Sequence, residues 1–503
     1  MGFWLTLLLF LVLHPCVLAE ETVYASIVVK GDTKIAETDD NFICATIDWW
    51  PPDKCNYNHC PWEDPQLYIC HLRIRIGGSL QDQVVYDVGG LKYPCHPFRK
   101  MAYGLFGFSK GCLHMDRWDE LNHLLSKTGK LVINILHAYL KVEVKHILLG
   151  RLYRFLYRAI VTFGLNALYG RQKIRKSVWG GAWDSSNALL FLWFVPCALK
   201  LLNSLNLQGN ELSGSGIGAS VGAVQYGKDL IYLKAIINEL YANHKSKPSL
   251  LAPGGFYDPE WYAKLLEITG SRVVNAMTHH IYNLGAGDDP RLVSRILDPH
   301  YLNQISETFI KLQQTLEKHG SWASAWVGES GGAYNSGGRH VSNTFVNSFW
   351  YLDQLGMASK HNTKAYCRQT LIGGNYGLLN TTTYVPNPDY YRQDILHYKR
   401  NMDFLGTFRE GSSFMNGLKK TVSWVGRKAS AERIMREEYH LTPMNGNLRS
   451  QTMYLNGNPL KLTKDGQIPT FDPILVEVNS LVFVASLSIA FITFPNFEAS
   501  ACI

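Results

Sequence analysis

RVVNAMTHHIYNLG, residues 272–285, begins as an apolar run and ends in paired histidines, a tyrosine and a glycine. SAWVGESGG, residues 324–332, repeats that form with a glutamate near its end. Short apolar runs that close on polar residues and glycine read as buried strands entering loops. ASIVVKG, NFICATIDWW, LRIRIGG, IVTFGLNALYG and YCRQTLIGG are of the same kind. Between several of them lie amphipathic stretches, among them DRWDELNHLLSKTG, QYGKDLIYLKAIINELYANH and DPEWYAKLLEITG. Strand alternating with helix implies a parallel sheet, and the number of repeats favours a closed (β/α)8 barrel over an open sheet. Functional groups of such barrels sit at the carboxyl ends of the strands. His279, His280 and Glu329 fall there, and Glu211 in QGNELSG (208–214) joins them if a strand precedes it.

The rest of the chain sets bounds. Its 503 residues exceed one ordinary domain, which suits a large barrel plus a smaller unit. With 46% hydrophobic and 18% charged residues it can bury a sizeable core, which excludes a disordered chain. MGFWLTLLLFLVLHPCVLAEE is too short an apolar run for a comfortable membrane span and reads as a secretory signal over residues 1–19. Leu481–Phe494 is also too short, and its partial alternation reads as buried strands. An integral membrane protein is therefore excluded, leaving at most peripheral association. Beyond Cys16, nine cysteines remain, so at least one has no partner within the chain. Cys55 and Cys60 have no matching second pair, so no metal or other cofactor is expected. Asn380-Thr381-Thr382 is a glycosylation sequon.

Two carboxylates flanking a glycosidic bond are the minimum equipment for its hydrolysis. One protonates the leaving oxygen; the other attacks the anomeric carbon or activates water. Glu211 and Glu329 qualify because each ends a strand-like run and is followed by small residues that let a substrate approach. His280, Tyr282 and Tyr376 stand in similar settings, where an imidazole and phenols can orient a carboxylate and tune its charge.

The chain resembles plant heparanase-like proteins of glycoside hydrolase family 79. The resemblance is carried by CATIDWWPPDKC, RIRIGGSLQDQVVYDV, GCLHMDRWDELN, FGLNALYGR, GNELSG, APGGFYD, THHIYNLG, AWVGESGGAYNSGG, SFWYLDQLGMASK, CRQTLIGGNYGLLNTTTYVPNPDYY and EYHLTP, in one order along the chain. It implies a (β/α)8 barrel over residues 20–391, a C-terminal β-sandwich remaining in 437–503, and a retaining mechanism on β-glucuronides. It further implies that Glu211 is the acid/base, Glu329 the nucleophile, and Asn210 the partner of the sugar 2-hydroxyl. By the same resemblance His280 and Tyr282 orient the nucleophile and line the reacting subsite. Tyr376 and the backbone amides around Asn335 and Ser336 would hold the uronate carboxylate, with Asp48 and Ser79 as further contacts. The implied partner is a glucuronic-acid-containing polysaccharide, proteoglycan or small glucuronide rather than nucleic acid, met outside the cell, in the cell wall, or in a lysosome or vacuole.

Four stretches depart from the family pattern. PQLYICHLRIRIGG is compressed; residues 131–160 interrupt the approach to VTFGLNALYG; residues 188–208 replace a helix and the strand leading into GNELSG; residues 392–436 stand where sandwich strands belong. They read as intron-derived or mis-spliced sequence that perturbs barrel and sandwich. The family pairs the C-terminal cysteine with one in the sandwich segment, which is missing here, leaving Cys502 alone. The rival to an active enzyme is thus an impaired glycan-binding or unstable variant. The formal charge of +8 arises in these stretches, since 131–160 carries five Lys/Arg against one acid and 392–436 ten against four. No cation closely follows GNE or HHIYNLG, so no strong preference for sulfated glycans is expected.

Overall fold

The computed structural model describes residues 23–30, 32–48, 73–91, 93–127, 160–194, 202–206, 211–244, 247–399, 405–408, 418–425, 435–464 and 466–495. Eight parallel strands close into a barrel: β1 (Ile43–Asp48), β2 (Arg73–Gly77), β3 (Ile160–Gly164), β4 (Leu202–Asn206), β5 (Ser249–Pro253), β6 (Ala276–Ile281), β7 (Ser324–Ser330) and β8 (Thr363–Arg368). Each pairs with its neighbours in sequence, and β8 returns to β1. Helices such as Ala223–Leu240, Pro259–Thr269, Ser306–His319 and Asn347–Lys360 fill the crossovers that parallel pairing requires. None among the described residues is long and apolar enough to cross a membrane.

Strand alternation sorts side chains between lumen and outer shell. Leu251, Ala276, Trp326 and Ala365, from four consecutive strands, form their own cluster apart from the main core, and the Arg73 guanidinium lies 4.4 Å from the Trp326 ring centre. This is the packed floor of the lumen. Met277, Val327 and Tyr366, one residue further on, face the helices and join the main core. A disulfide links Cys44 and Cys367, which are register partners on β1 and β8; a second joins Cys95 and Cys112.

Two expectations about the atypical stretches are corrected. Within 188–208, a helix at Ser186–Phe194 leads into β4, which pairs with both β3 and β5 and closes the barrel. Phe191 stacks on Tyr86 at 4.4 Å and meets Phe163 and Trp118 at 5.3 and 5.0 Å. Parallel pairing needs only backbone groups in register, and an aromatic replaces whatever packing the family pattern would have supplied. Within 392–436, Leu405–Phe408 pairs with Ile489–Thr493, and Leu418–Val425 with Val482–Val484. The neighbouring strands therefore do have ladder partners. Residues 131–159 lie outside the described residues.

Val23–Lys30 is not a barrel strand. It pairs parallel with Leu418–Val425, so the barrel's described part begins at Ile43. Among the described residues no helix lies between Lys30 and Ile43 to carry the chain over a sheet face, and a parallel neighbour within one barrel needs such a crossover. The C-terminal residues thus contribute to a three-stranded sheet and to a six-stranded one centred on Met435–Pro443 and Ile489–Thr493.

Candidate active site

At the carboxyl ends of the strands the lumen becomes polar. His280 has the same inward parity as Ala276, so of the two histidines it is the one facing the lumen. His279 points outward against Phe309 at 5.6 Å, and burial holds its pKa down to about 3. On β7 the register slips by one residue: His279 pairs with Val327 but His280 with Glu329. This bulge at Gly328 turns Glu329 inward, where strict alternation from Val327 would put Gly328 instead.

Three elements converge on Glu329. Arg75 of β2 donates from Nη1 to Oε2 at 2.6 Å, and the Tyr282 hydroxyl donates to Oε1 at 2.6 Å. His280 Nδ1 lies 3.9 Å from Oε2. Burial pushes the Glu329 carboxyl up, but His280, Arg75 and the Tyr282 hydrogen bond outweigh it and hold the group below the ordinary Glu value of 4.5. Burial and then the Glu329 charge push the Tyr282 phenol well up, so it remains a neutral donor.

Glu211 reaches the same cleft from a turn. Its φ of +67° is a left-handed conformation that costs a non-glycine residue energy, so its surroundings must hold it. They do: Ile217 N donates to Glu211 O at 2.9 Å, and Val221 N to Leu212 O at 3.0 Å. Ser213 Oγ reaches Gly254 O and Phe256 O in the loop after β5. Gly255 is required there, because a Cβ would meet Glu211 Cα at 2.7 Å. His280 Nδ1 lies 3.7 Å from Glu211 Oε1, and the ligand-type atoms of Glu211, His280 and Glu329 lie within 4.8 Å of one another. Such a trio could hold a cation, but both Glu329 oxygens already accept bonds from protein donors, and Arg75 supplies the positive charge.

A second polar group lies beside them. Asp48 ends β1, and Gly78 turns so tightly against it that a Cβ would meet its Cγ at 2.7 Å; Ser79 follows on the rim. Gln369 Nε2 donates to Asp48 Oδ2 at 2.7 Å and lies 3.5 Å from the Tyr376 hydroxyl, while Thr46 Oγ1 donates to Gln369 Oε1. Burial and then Asp48 push the Tyr376 phenol up. Asn335 and Ser336 have φ of +58° and +67°, and Asn375 N donates to Ser336 O at 2.7 Å, which ties this turn to the loop carrying Tyr376. Asn210 lies outside the described residues. Asn380 is half-buried and accepts from the amides of Thr382 and Thr383 in a tight turn.

Arg75 and Gln369 were not singled out from sequence. Their signals were an arginine alternating with isoleucines in RIRIG and a polar residue just past the end of β8. Lys173, Arg175 and Lys176 are exposed on a hairpin whose second strand pairs with Ser220–Val221, on the loop that follows Glu211.

A parallel eight-stranded barrel whose rim carries two buried, facing carboxylates holds the equipment that glycoside hydrolysis requires. The comparisons narrow the class. The chain belongs to glycosyl hydrolase family 79, whose N-terminal domain profile matches residues 24–150 and 150–356, with the join inside the atypical 131–160 stretch. It is 50% identical to heparanase-like protein 1 of Arabidopsis thaliana, over 96% of each chain. It is 34% identical to baicalin-beta-D-glucuronidase of Scutellaria baicalensis, over 98% of this chain and 96% of that one. Its fold resembles that of a 4-O-alpha-L-rhamnosyl-beta-D-glucuronidase from Fusarium oxysporum, with a TM-score of 0.60 at 14% identity over 94% of this chain and 100% of that one.

Proposed function

We propose that the chain hydrolyses β-glucuronides with retention of anomeric configuration. Glu329 attacks the anomeric carbon while Glu211 gives its proton to the leaving oxygen, and the glycosidic bond breaks. Glu211 then takes a proton from water, which displaces Glu329 and releases glucuronic acid at the reducing position. The observation that carries this reading is an asymmetry. Both carboxylates share one cleft, but of the two it is Glu329 that pairs with Arg75, at 2.6 Å. A carboxylate held ionised suits a nucleophile, and the other is left to trade a proton. Oxygens within 4.8 Å of each other also favour the roughly 5–5.5 Å carboxyl separation of retaining enzymes over the roughly 6.5–9.5 Å that leaves room for a water.

The glucuronate carboxylate is assigned to the Tyr376 hydroxyl and the Asn335–Ser336 turn, and the sugar hydroxyls to Asp48 and Gln369. Asn210 is the proposed partner of the 2-hydroxyl. Two disulfides and a sequon at Asn380 support action in an oxidising compartment, outside the cell or in a vacuole. The rival, an impaired glycan-binding variant, loses ground because β4 joins both neighbours across the atypical stretch. Incubating the purified chain with 4-nitrophenyl β-glucuronide and, in parallel, the β-glucoside tests the proposal. Release from the glucuronide, and little from the glucoside, is expected. A folded protein that releases nitrophenol from neither is not the enzyme described.

A further inference from the structure

The loop after β5 places an apolar ring between the Glu211 turn and Tyr282. Phe256 is 42% exposed, yet it is not a stray surface residue. Its ring stands edge-to-face to Tyr282 with centroids 6.5 Å apart, and Tyr282 is bonded to Glu329. The preceding Gly255 presses on the Glu211 backbone, with its carbonyl accepting from His280 N at 2.7 Å. The Phe256 carbonyl accepts from Ser213 Oγ, two residues from Glu211. The ring is therefore fixed between the acid/base turn and the phenol that grips the nucleophile. Ile217 of the Glu211 turn is also exposed, at 40%, and adds apolar surface on the same turn.

An open ring held this firmly costs nothing further to order when a second flat surface covers it. Glu211 must touch the leaving oxygen, so whatever is bonded to that oxygen lies on the Glu211 side of the cleft. The polar groups of Asp48, Gln369 and Tyr376 belong to the other group of strands, β1 and β8, and suit the sugar instead. The hairpin cations lie beyond Ser220–Val221, one further ladder away from Glu211.

We infer that Phe256 forms an aglycone subsite that takes a flat apolar leaving group, an aromatic aglycone, by stacking. The inference rests on the glucuronidase reading. Stacking half covers the ring, which corresponds to a change of roughly tenfold in affinity.

The test compares wild type, Phe256→Ala and Phe256→Trp on 4-nitrophenyl β-glucuronide and methyl β-glucuronide. The effect of each substitution is taken as a ratio between the two substrates, so leaving-group reactivity cancels. The Ala variant should lose about tenfold in kcat/KM on the aryl substrate and less than about twofold on the methyl one, and Trp should retain the aryl rate. Equal losses on both substrates, or no loss on either, would overturn the subsite. Calorimetric binding of phenyl β-thioglucuronide against free glucuronic acid gives a reading that needs no turnover. If wild type hydrolyses neither substrate, the glucuronidase reading fails, and binding still decides the subsite. A preference for the phenyl compound that disappears in Phe256→Ala supports it; its absence in wild type overturns it.

Discussion

Glu329 and Glu211 share a cleft but are held in opposite ways. Glu329 lies on a barrel strand, turned inward by a bulge and gripped by side chains from β2 and from the end of β6. Glu211 lies on a turn, in a strained backbone conformation maintained by amide and hydroxyl bonds within loops. The first carboxylate is defined by its electrostatic partners and the second by its backbone. The partners of Glu329 thereby hold it ionised, whereas among the described residues no cation grips Glu211 in the same way.

The largest effects should come from removing either group, and the two should differ in kind. Glu329→Gln should lower kcat by at least about 10⁴ on every glucuronide, because no covalent intermediate can form. In kcat/KM, which reports the first step, Glu211→Gln should cost roughly 10²–10⁴ on a poor leaving group and much less on 4-nitrophenyl, which leaves without a proton, while kcat falls on both because water then lacks its base. Similar losses on both leaving groups for both variants would erase the distinction.

A smaller effect sharpens the electrostatic half. Arg75→Met removes one of the groups that hold the Glu329 carboxyl down; His280 and the Tyr282 hydrogen bond stay, so burial raises it part of the way. Because Glu329 must be ionised, the acid limb of kcat/KM should move to higher pH, with a greater loss at pH 5 than at pH 7. A purely structural loss would lower the profile without moving the limb. The sign for stability agrees: the depressed Glu329 value contributes stability above about pH 4.5, which is lost as pH falls through the folded-state value. The variant should lose the part of that contribution that Arg75 supplies.

The smallest expected effect lies behind the site. His279 is buried neutral against Phe309, with its pKa held at about 3 against an ordinary 6.5. The unfolded chain therefore binds a proton that the folded one refuses, and stability falls as pH drops from 6.5 towards 3. His279→Phe should show a smaller fall in Tm between pH 7 and pH 5 than wild type, with activity at pH 7 little changed. An unchanged pH dependence of Tm would show that the ring does not hold this state.

The barrel could be read from sequence because it is written locally, in apolar runs that end in glycine and polar residues. Glu329, His280 and Tyr282 could be read for the same reason: each stands at or just past the end of such a run. Arg75 could not, since a charge inside RIRIG gives no sign of which neighbour will neutralise it; the answer lies on β7, far along the chain. Phe256 was hidden likewise, because exposure and proximity to Tyr282 are properties of the folded cleft. The atypical stretches misled in the other direction. Unfamiliar side chains suggested broken ladders, whereas ladder pairing depends on backbone register, which Leu202–Asn206 keeps with both neighbours.

The central claim, a nucleophilic Glu329 opposed by a proton-trading Glu211, is tested most directly by the configuration of the first-formed product. Proton NMR during the first minutes of hydrolysis of 4-nitrophenyl β-glucuronide distinguishes the two anomers before they equilibrate. Direct attack by Glu329 followed by water gives two inversions, so β-glucuronic acid should appear first and the α-anomer only later by mutarotation. Initial release of the α-anomer would mean a single displacement by water and would contradict the account.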